Sequence, residues 1–176
     1  MKSIGTEQSP SYNVEQDPFT APNNGFDMFT AEELGLFEQA ADIIEAKFLR
    51  KSDCLTSPDI TKRFLANHLA KHQSEVFGVI WLDNRHKTIA VIDMFYGTID
   101  GAAVYPREVI KSALQHNAGA CIFFHNHPSG NPEPSQADIS LTKRLKDALA
   151  HIDVRVLDHT VVGGNQTVSL AERGLV

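Results

Sequence analysis

The sequence predicts an α/β fold in which a mixed β-sheet is flanked by helices. Three observations carry this. Helical and strand patterns alternate along the chain instead of falling into separate blocks. The run Glu75 to Leu82 (EVFGVIWL) is β-rich and apolar on both faces, which suits a central strand covered on two sides. After a polar turn at Asp83 to Lys87, Thr88 to Tyr96 returns as a second strand and makes a hairpin with the first. With 176 residues, 42% of them hydrophobic, the chain can build one well-cored domain and an appendage.

Residues 1–26 are rich in Ser, Pro, Asn, Gln and Thr, have few aliphatics and no period, and are expected to be a disordered tail. An amphipathic helix is expected within residues 27–54. Thr30 and Glu33 form a capping box, and Leu34, Phe37, Ala41, Ile44 and Phe48 then share one helical face. That face must dock on its own domain or on a second subunit, so a homo-oligomer is one expectation. The main domain is expected over residues 55–176. Ser57 and Pro58 fit the N-cap and first position of a helix that turns Ile60, Phe64, Leu65 and Leu69 inward. His68 and His72 on this helix have a spacing that can bind metal, but no carboxylate motif accompanies them and they read as solvated. After the hairpin, Gly97 to Tyr105 reads as a short strand and loop. Pro106 starts a helix through about Asn117, with Val109, Ile110, Ala113 and Leu114 inward and Gly119 as its stop. A buried strand opens at Cys121, a helix runs from Ser135 to about Ala150, and strands near Val154 to Val162 and Gln166 to Leu170 meet through Gly163-Gly164.

The chemistry concentrates in Cys121 to Asp138, CIFFHNHPSGNPEPSQAD. In an extended chain alternate side chains share a face, so His125 and His127 point the same way at the strand's end. Pro128, Gly130, Pro132 and Pro134 force an ordered loop, and Ser135 caps the next helix with Asp138 in its first turn. Two imidazoles and a carboxylate gathered by a strand–loop–helix corner are the ligand set of a catalytic zinc with one position left open. A second reading is a capping box, in which Ser135 and Asp138 touch no metal and the histidines lie on an ordinary surface. Against it, Asp138 shares the face of Leu141, Leu145 and Leu149, which must meet the core, and a buried carboxylate needs a partner. Glu75 opens the first strand on the face of Phe77, Val79 and Trp81. The residues alone leave open whether it is a solvated strand end or a functional carboxylate.

His125-x-His127, seven residues, Ser135, two residues and Asp138, with an upstream glutamate, is similar to the signature of the JAMM (MPN-type) metalloproteases. Gly97-Thr98-Ile99-Asp100, Tyr105-Pro106-Arg107-Glu108, HNHPSG, PSQAD and Val154-Arg155-Val156-Leu157-Asp158-His159 resemble the RadC family of bacterial JAMM proteins, over roughly Leu55 to Val176. The resemblance implies an α/β sandwich, zinc on His125, His127 and Asp138, Glu75 as general base and Ser135 as donor to an oxyanion. It implies a zinc-dependent metallopeptidase or isopeptidase-type hydrolase acting on a protein or peptide amide. On charge alone Glu133 competes for the role of base, but Pro132 and Pro134 hold it on a surface turn. Asn126, Asp158 and His159 are candidates to hold the other nitrogen of a ligating imidazole.

The alternative is a DNA-repair-associated accessory or binding module of the RadC type with little hydrolytic activity. A net charge of −6 with scattered Lys and Arg opposes nucleic-acid binding, and the helix-hairpin-helix region of longer RadC proteins is not recognisable. Cys54 and Cys121 form no framework, no signal peptide is visible and no apolar run approaches membrane-spanning length, so a soluble cytoplasmic protein is expected. The chain is too short for a barrel amidohydrolase and too helical for a jelly roll, and it lacks HExxH.

Overall fold

A computed structural model of the chain describes residues 29–50, 57–97 and 103–176. The expected tail, Cys54 and residues 98–102 of the expected linking strand lie outside the described residues. The strands are β1 (Val76–Leu82), β2 (Thr88–Tyr96), β3 (Ala120–Asn126), β4 (Arg155–Gly163) and β5 (Gln166–Ser169), and they form one sheet in the order β2-β1-β3-β4-β5. β1 is antiparallel to β2 and β3, β4 is antiparallel to β5, and β3 and β4 are parallel. The sheet is therefore mixed, as the alternating pattern predicts. The helices are α1 (Ala31–Arg50), α2 (Pro58–Leu69), α3 (Pro106–Gln115) and α4 (Gln136–Ala150). A parallel pair needs a crossover, and α4 supplies the one between β3 and β4.

All seven residues of β1 are buried, because helices cover the sheet on both faces. On one face Phe64, Leu65 and Leu69 of α2 pack against Ile80, Ile122 and Phe124. On the other, Val109 and Ala113 of α3 and Leu145 and Leu149 of α4 pack against Phe77, Trp81 and Phe123. The Trp81 indole N–H, buried within this layer, donates to Ser112 Oγ at 2.9 Å. No described helix is long and apolar enough to cross a membrane.

The capping box at Thr30 is present: Thr30 N donates to the Glu33 carboxylate at 2.7 Å, and Glu33 N to Thr30 Oγ1 at 3.3 Å. α1 lies along α2 and β2, yet Phe37, expected on its docked face, is exposed together with Leu36 and Ile43. The side chains of Ala41, Ile44 and Phe48 fall outside the description.

Three helix assignments need correction. Ile60 and Leu114 point outward, while Thr61 and His68 take inward places on α2. α3 ends at Gln115, and Asn117, not Gly119, adopts the left-handed conformation that turns the chain (φ 48°). His68 and His72 are not solvated. His68 Nε2 bonds Asp93 Oδ1 at 2.8 Å, and His72 Nε2 lies 3.4 Å from Asp93 Oδ2. Burial alone would raise the Asp93 carboxyl, but the two histidines outweigh it and hold it well below the usual range. The partner went unseen because Asp93 arrives from a strand distant in sequence.

Gly78 of β1 lies beneath the Phe124 ring, where an added Cβ would sit 2.2 Å from Phe124 Cζ and 2.7 Å from the Ile92 carbonyl oxygen. Gly78→Ala is expected to destabilise the fold by about 1–3 kcal/mol through overpacking. Urea unfolding should show a lower midpoint at unchanged slope.

Candidate metal centre

His125 is the penultimate residue of β3 and the last to pair with β1, opposite Phe77 there and Val161 on β4, and is 1% exposed. His127 lies one residue past the strand. Its N–H still donates to the Val162 carbonyl at 2.8 Å, so strand alternation keeps its ring on the His125 face. The loop from Pro128 turns at Gly130 (φ 78°) and delivers Ser135 in the extended N-cap conformation that starts α4.

Three contacts hold this loop. His127 Nδ1 donates to the Asn131 carbonyl at 2.8 Å. Arg173 forks the Glu133 carboxylate at 2.6 and 3.0 Å. Gly163 admits the loop backbone where a Cβ would stand 2.4 Å from Pro132 N. Glu133 is thus engaged with a guanidinium that holds its carboxyl below the ordinary value, which weakens it as a rival base.

The loop brings Asp138 to the two histidines. His125 Nε2 lies 3.0 Å from His127 Nε2 and 3.5 Å from Asp138 Oδ1, and His127 Nε2 lies 3.6 Å from Asp138 Oδ2. Among the described residues this is the set of three that offers one ligand atom each within 4.8 Å of one another. Tetrahedral zinc at ligand distances of about 2.0–2.1 Å separates its ligands by roughly 3.3–3.4 Å. The donor types and spacings fit such an ion.

The capping box and the candidate ligand set share one residue, Asp138. Ser135 N and Ser135 Oγ donate to Asp138 Oδ2 at 2.6 and 2.7 Å, and Asp138 N donates back to Ser135 Oγ at 3.2 Å. Oδ1 is left facing His125. A carboxylate has lone pairs for both tasks, so capping does not exclude coordination. The single Ser135 proton is directed at Asp138 in this arrangement.

Glu75 is half-buried, one residue ahead of β1. It lies near enough to His127 for its charge to help raise that imidazole's pKa. The buried Asn126 amide brackets it: Val76 N donates to Asn126 Oδ1 at 2.8 Å, and Asn126 Nδ2 donates to the Ser74 carbonyl at 3.0 Å. Gly97 N adds a bond to the Glu75 carbonyl at 2.8 Å. Asn126 therefore holds the backbone of Glu75 and no imidazole. Asp158 instead ties the β4–β5 end together, accepting from His159 N, Ser169 Oγ and Ala171 N. Of the three candidates only His159 reaches one of the two imidazoles, with its Nε2 2.8 Å from His125 Nδ1. Thr142, whose Oγ1 is 2.6 Å from His159 Nδ1, was not anticipated; its one signal is a polar residue next to the apolar stripe of α4.

Burial pushes His125 down to about 4 and His159 well below the imidazole range, so both rings are neutral. His127 is raised, chiefly by the Asp138 carboxylate against the opposing effect of burial. Burial works to raise Asp138, but His127 and Ser135 prevail and depress it well below the usual carboxylate range.

Residues 55–175 match the family model described as RadC-like JAB domain. The chain belongs to this family. A UPF0758 protein of Marinobacter nauticus is 60% identical over 128 residues, 73% of this chain and 57% of the relative. One from Nitrosococcus oceani is 56% identical over the same length, with the same coverage of each chain. One from Vibrio cholerae is 51% identical over 144 residues, 82% of this chain and 90% of the relative. The chain thus spans a little over half the length of the first two relatives. In this RadC-like JAB domain the histidine pair, Asp138 and Ser135 all lie inside the matched segment, as does Glu75.

The electrostatics predict how the metal-free domain responds to pH. Asp138 is depressed, so its contribution is present above the ordinary aspartate value of 3.8 and is lost as pH falls through the lower folded value. His127 is raised, so its contribution is present below the ordinary histidine value of 6.5 and is lost as pH rises through the higher folded value. In chelator, the pair should stabilise the fold most between those two values. Asp138→Asn should flatten that maximum in urea unfolding measured across pH.

Proposed function

We propose that the domain is a zinc-dependent hydrolase of peptidase or isopeptidase type, acting on an amide of a protein or peptide. The observation that supports this most is the convergence of the two Nε2 atoms, 3.0 Å apart, on the Asp138 carboxylate. His127 Nδ1 is committed as a donor to a carbonyl, so in the neutral ring Nε2 holds a lone pair. Facing a second imidazole nitrogen and a carboxylate, that lone pair is placed to bind a cation. His125, His127 and Asp138 would hold zinc, which when bound supplies a Lewis acid that polarises the substrate carbonyl and makes water acidic near neutral pH.

The residues around it divide the remaining tasks. Glu75 takes the proton of the attacking water and returns it to the leaving amine, and the Asn126 bracket keeps it in place for both transfers. Ser135 donates to the carbonyl oxygen as that atom gains charge. Once a cation engages Asp138, the hydroxyl can turn from the carboxylate, and the first-turn N–H groups of α4 add favourable dipoles.

Glu75→Gln is expected to retain zinc and to lose about 10²–10⁴-fold in turnover. His127→Ala should lose both. Metal content by mass spectrometry, with turnover on pools of fluorogenic peptides and isopeptide-linked peptides, checks these outcomes. A zinc-loaded Glu75→Gln domain that cleaves at the wild-type rate would remove Glu75 from the mechanism, and a wild-type domain that takes up no zinc would end the proposal. Ser135→Ala should keep zinc while kcat falls on the order of 10²–10³-fold, the scale for one lost oxyanion donor.

A further inference from the structure

Behind His125 runs a chain of three hydrogen bonds, two buried and one part-buried, whose direction is dictated at one end. The Asp138 carbonyl oxygen can only accept. Thr142 Oγ1 lies 2.6 Å from it, so the single hydroxyl proton goes there. With that proton committed, Thr142 Oγ1 can only accept from His159 Nδ1, 2.6 Å away, and His159 Nδ1 is the donor. A neutral imidazole protonated on Nδ1 has a bare Nε2. That atom lies 2.8 Å from His125 Nδ1, which must therefore carry the proton. His125 Nε2 is left with its lone pair, facing His127 and Asp138. Thr142 and His159 are both 0% exposed, so no solvent intrudes to reverse the order. Edge-to-face contacts of His159 with Phe77 and Phe123 fix the plane of its ring.

We propose that His159 and Thr142 are positioning residues that set the tautomer and ring orientation of His125, so that Nε2 is the atom presented to the metal. The inference rests on the reading of His125 and Asp138 as ligands, because the relay joins the imidazole of one to the backbone of the second. Ligating histidines commonly hand their second N–H to a carboxylate, a carbonyl or water. A neutral imidazole in that place orients the ligand without adding negative charge, so it does not diminish the electrophilicity of the cation.

The relay is tested by nitrogen NMR and by zinc affinity, neither of which needs a substrate. Long-range ¹H–¹⁵N spectra of the metal-free wild-type domain should show both His125 and His159 protonated on Nδ1. Zinc affinity, read by competition with a chromophoric chelator, should weaken about tenfold or more in Thr142→Val, the scale for losing a partner behind a ligand. Thr142→Ser, which keeps the hydroxyl, should return to within about twofold of wild type. In Thr142→Val the His159 ring should also lose its single tautomer. A wild-type His125 carrying its proton on Nε2, or Thr142→Val and Thr142→Ser binding zinc equally with unchanged histidine spectra, overturns the relay. The wild-type spectrum decides the tautomer even should the valine variant fail to fold. A wild-type domain that binds no zinc but shows both Nδ1 protons would refute the proposed hydrolase and the relay's service to a metal, while the tautomer order would stand.

Discussion

The constraint on which the site depends is a concentration of electron pairs. Two imidazole nitrogens and a carboxylate are held within 4.8 Å of one another, at a place where the deeper ring is almost wholly withdrawn from water. Burial opposes protonation of His125, whereas the Asp138 carboxylate holds the more exposed His127 above the ordinary imidazole value. The surrounding structure serves to keep these atoms from drifting apart. Strand register fixes His125, the cap fixes Asp138, and the clamped proline loop fixes the distance between them.

The opposite face of the sheet offers an instructive contrast. His68, His72 and Asp93 are the same residue types, also largely buried, but His68 bonds Asp93 directly at 2.8 Å. A hydrogen bond of that length leaves no room for an ion between donor and acceptor. At the His125 centre the carboxylate stands 3.5–3.6 Å from both rings, a spacing that a bridging cation suits better than a shared proton. His72 stands 3.4 Å from the other Asp93 oxygen, so no single gap distinguishes the two clusters; among the described residues it is at the His125 centre that three candidate ligand atoms all lie within 4.8 Å of one another.

Glu75 and Asn126 show how the strand that carries His125 also governs the proposed base. His125, Asn126 and His127 are consecutive, and alternation sends the asparagine to the face opposite the histidines. There its amide bonds the backbone on both sides of Glu75. A displacement of β3 would therefore move the two histidines and Glu75 together. The Glu133–Arg173 pair plays the complementary part on the outside of the loop, where exposure makes it a tether and not a source of much stability.

Much of this was determined by sequence because the interactions are local. Strand alternation places His125 and His127 on one face, prolines forbid helix in the loop, and the Ser135–Asp138 spacing defines a helix start, whatever the rest of the chain does. The buried run of β1 and its hairpin with β2 were legible for the same reason. The misassigned residues and the unseen partners depend on contacts between segments far apart in sequence. Asp93 rescues His68 from across the sheet, Arg173 captures Glu133, and His159 meets His125 only because β3 and β4 pair in parallel in this register. Thr142 likewise gains its part only when α4 is laid over that strand pair. Tertiary packing decided those relationships, since a hydrogen bond is set by a few ångströms in space and carries no fixed separation along the chain.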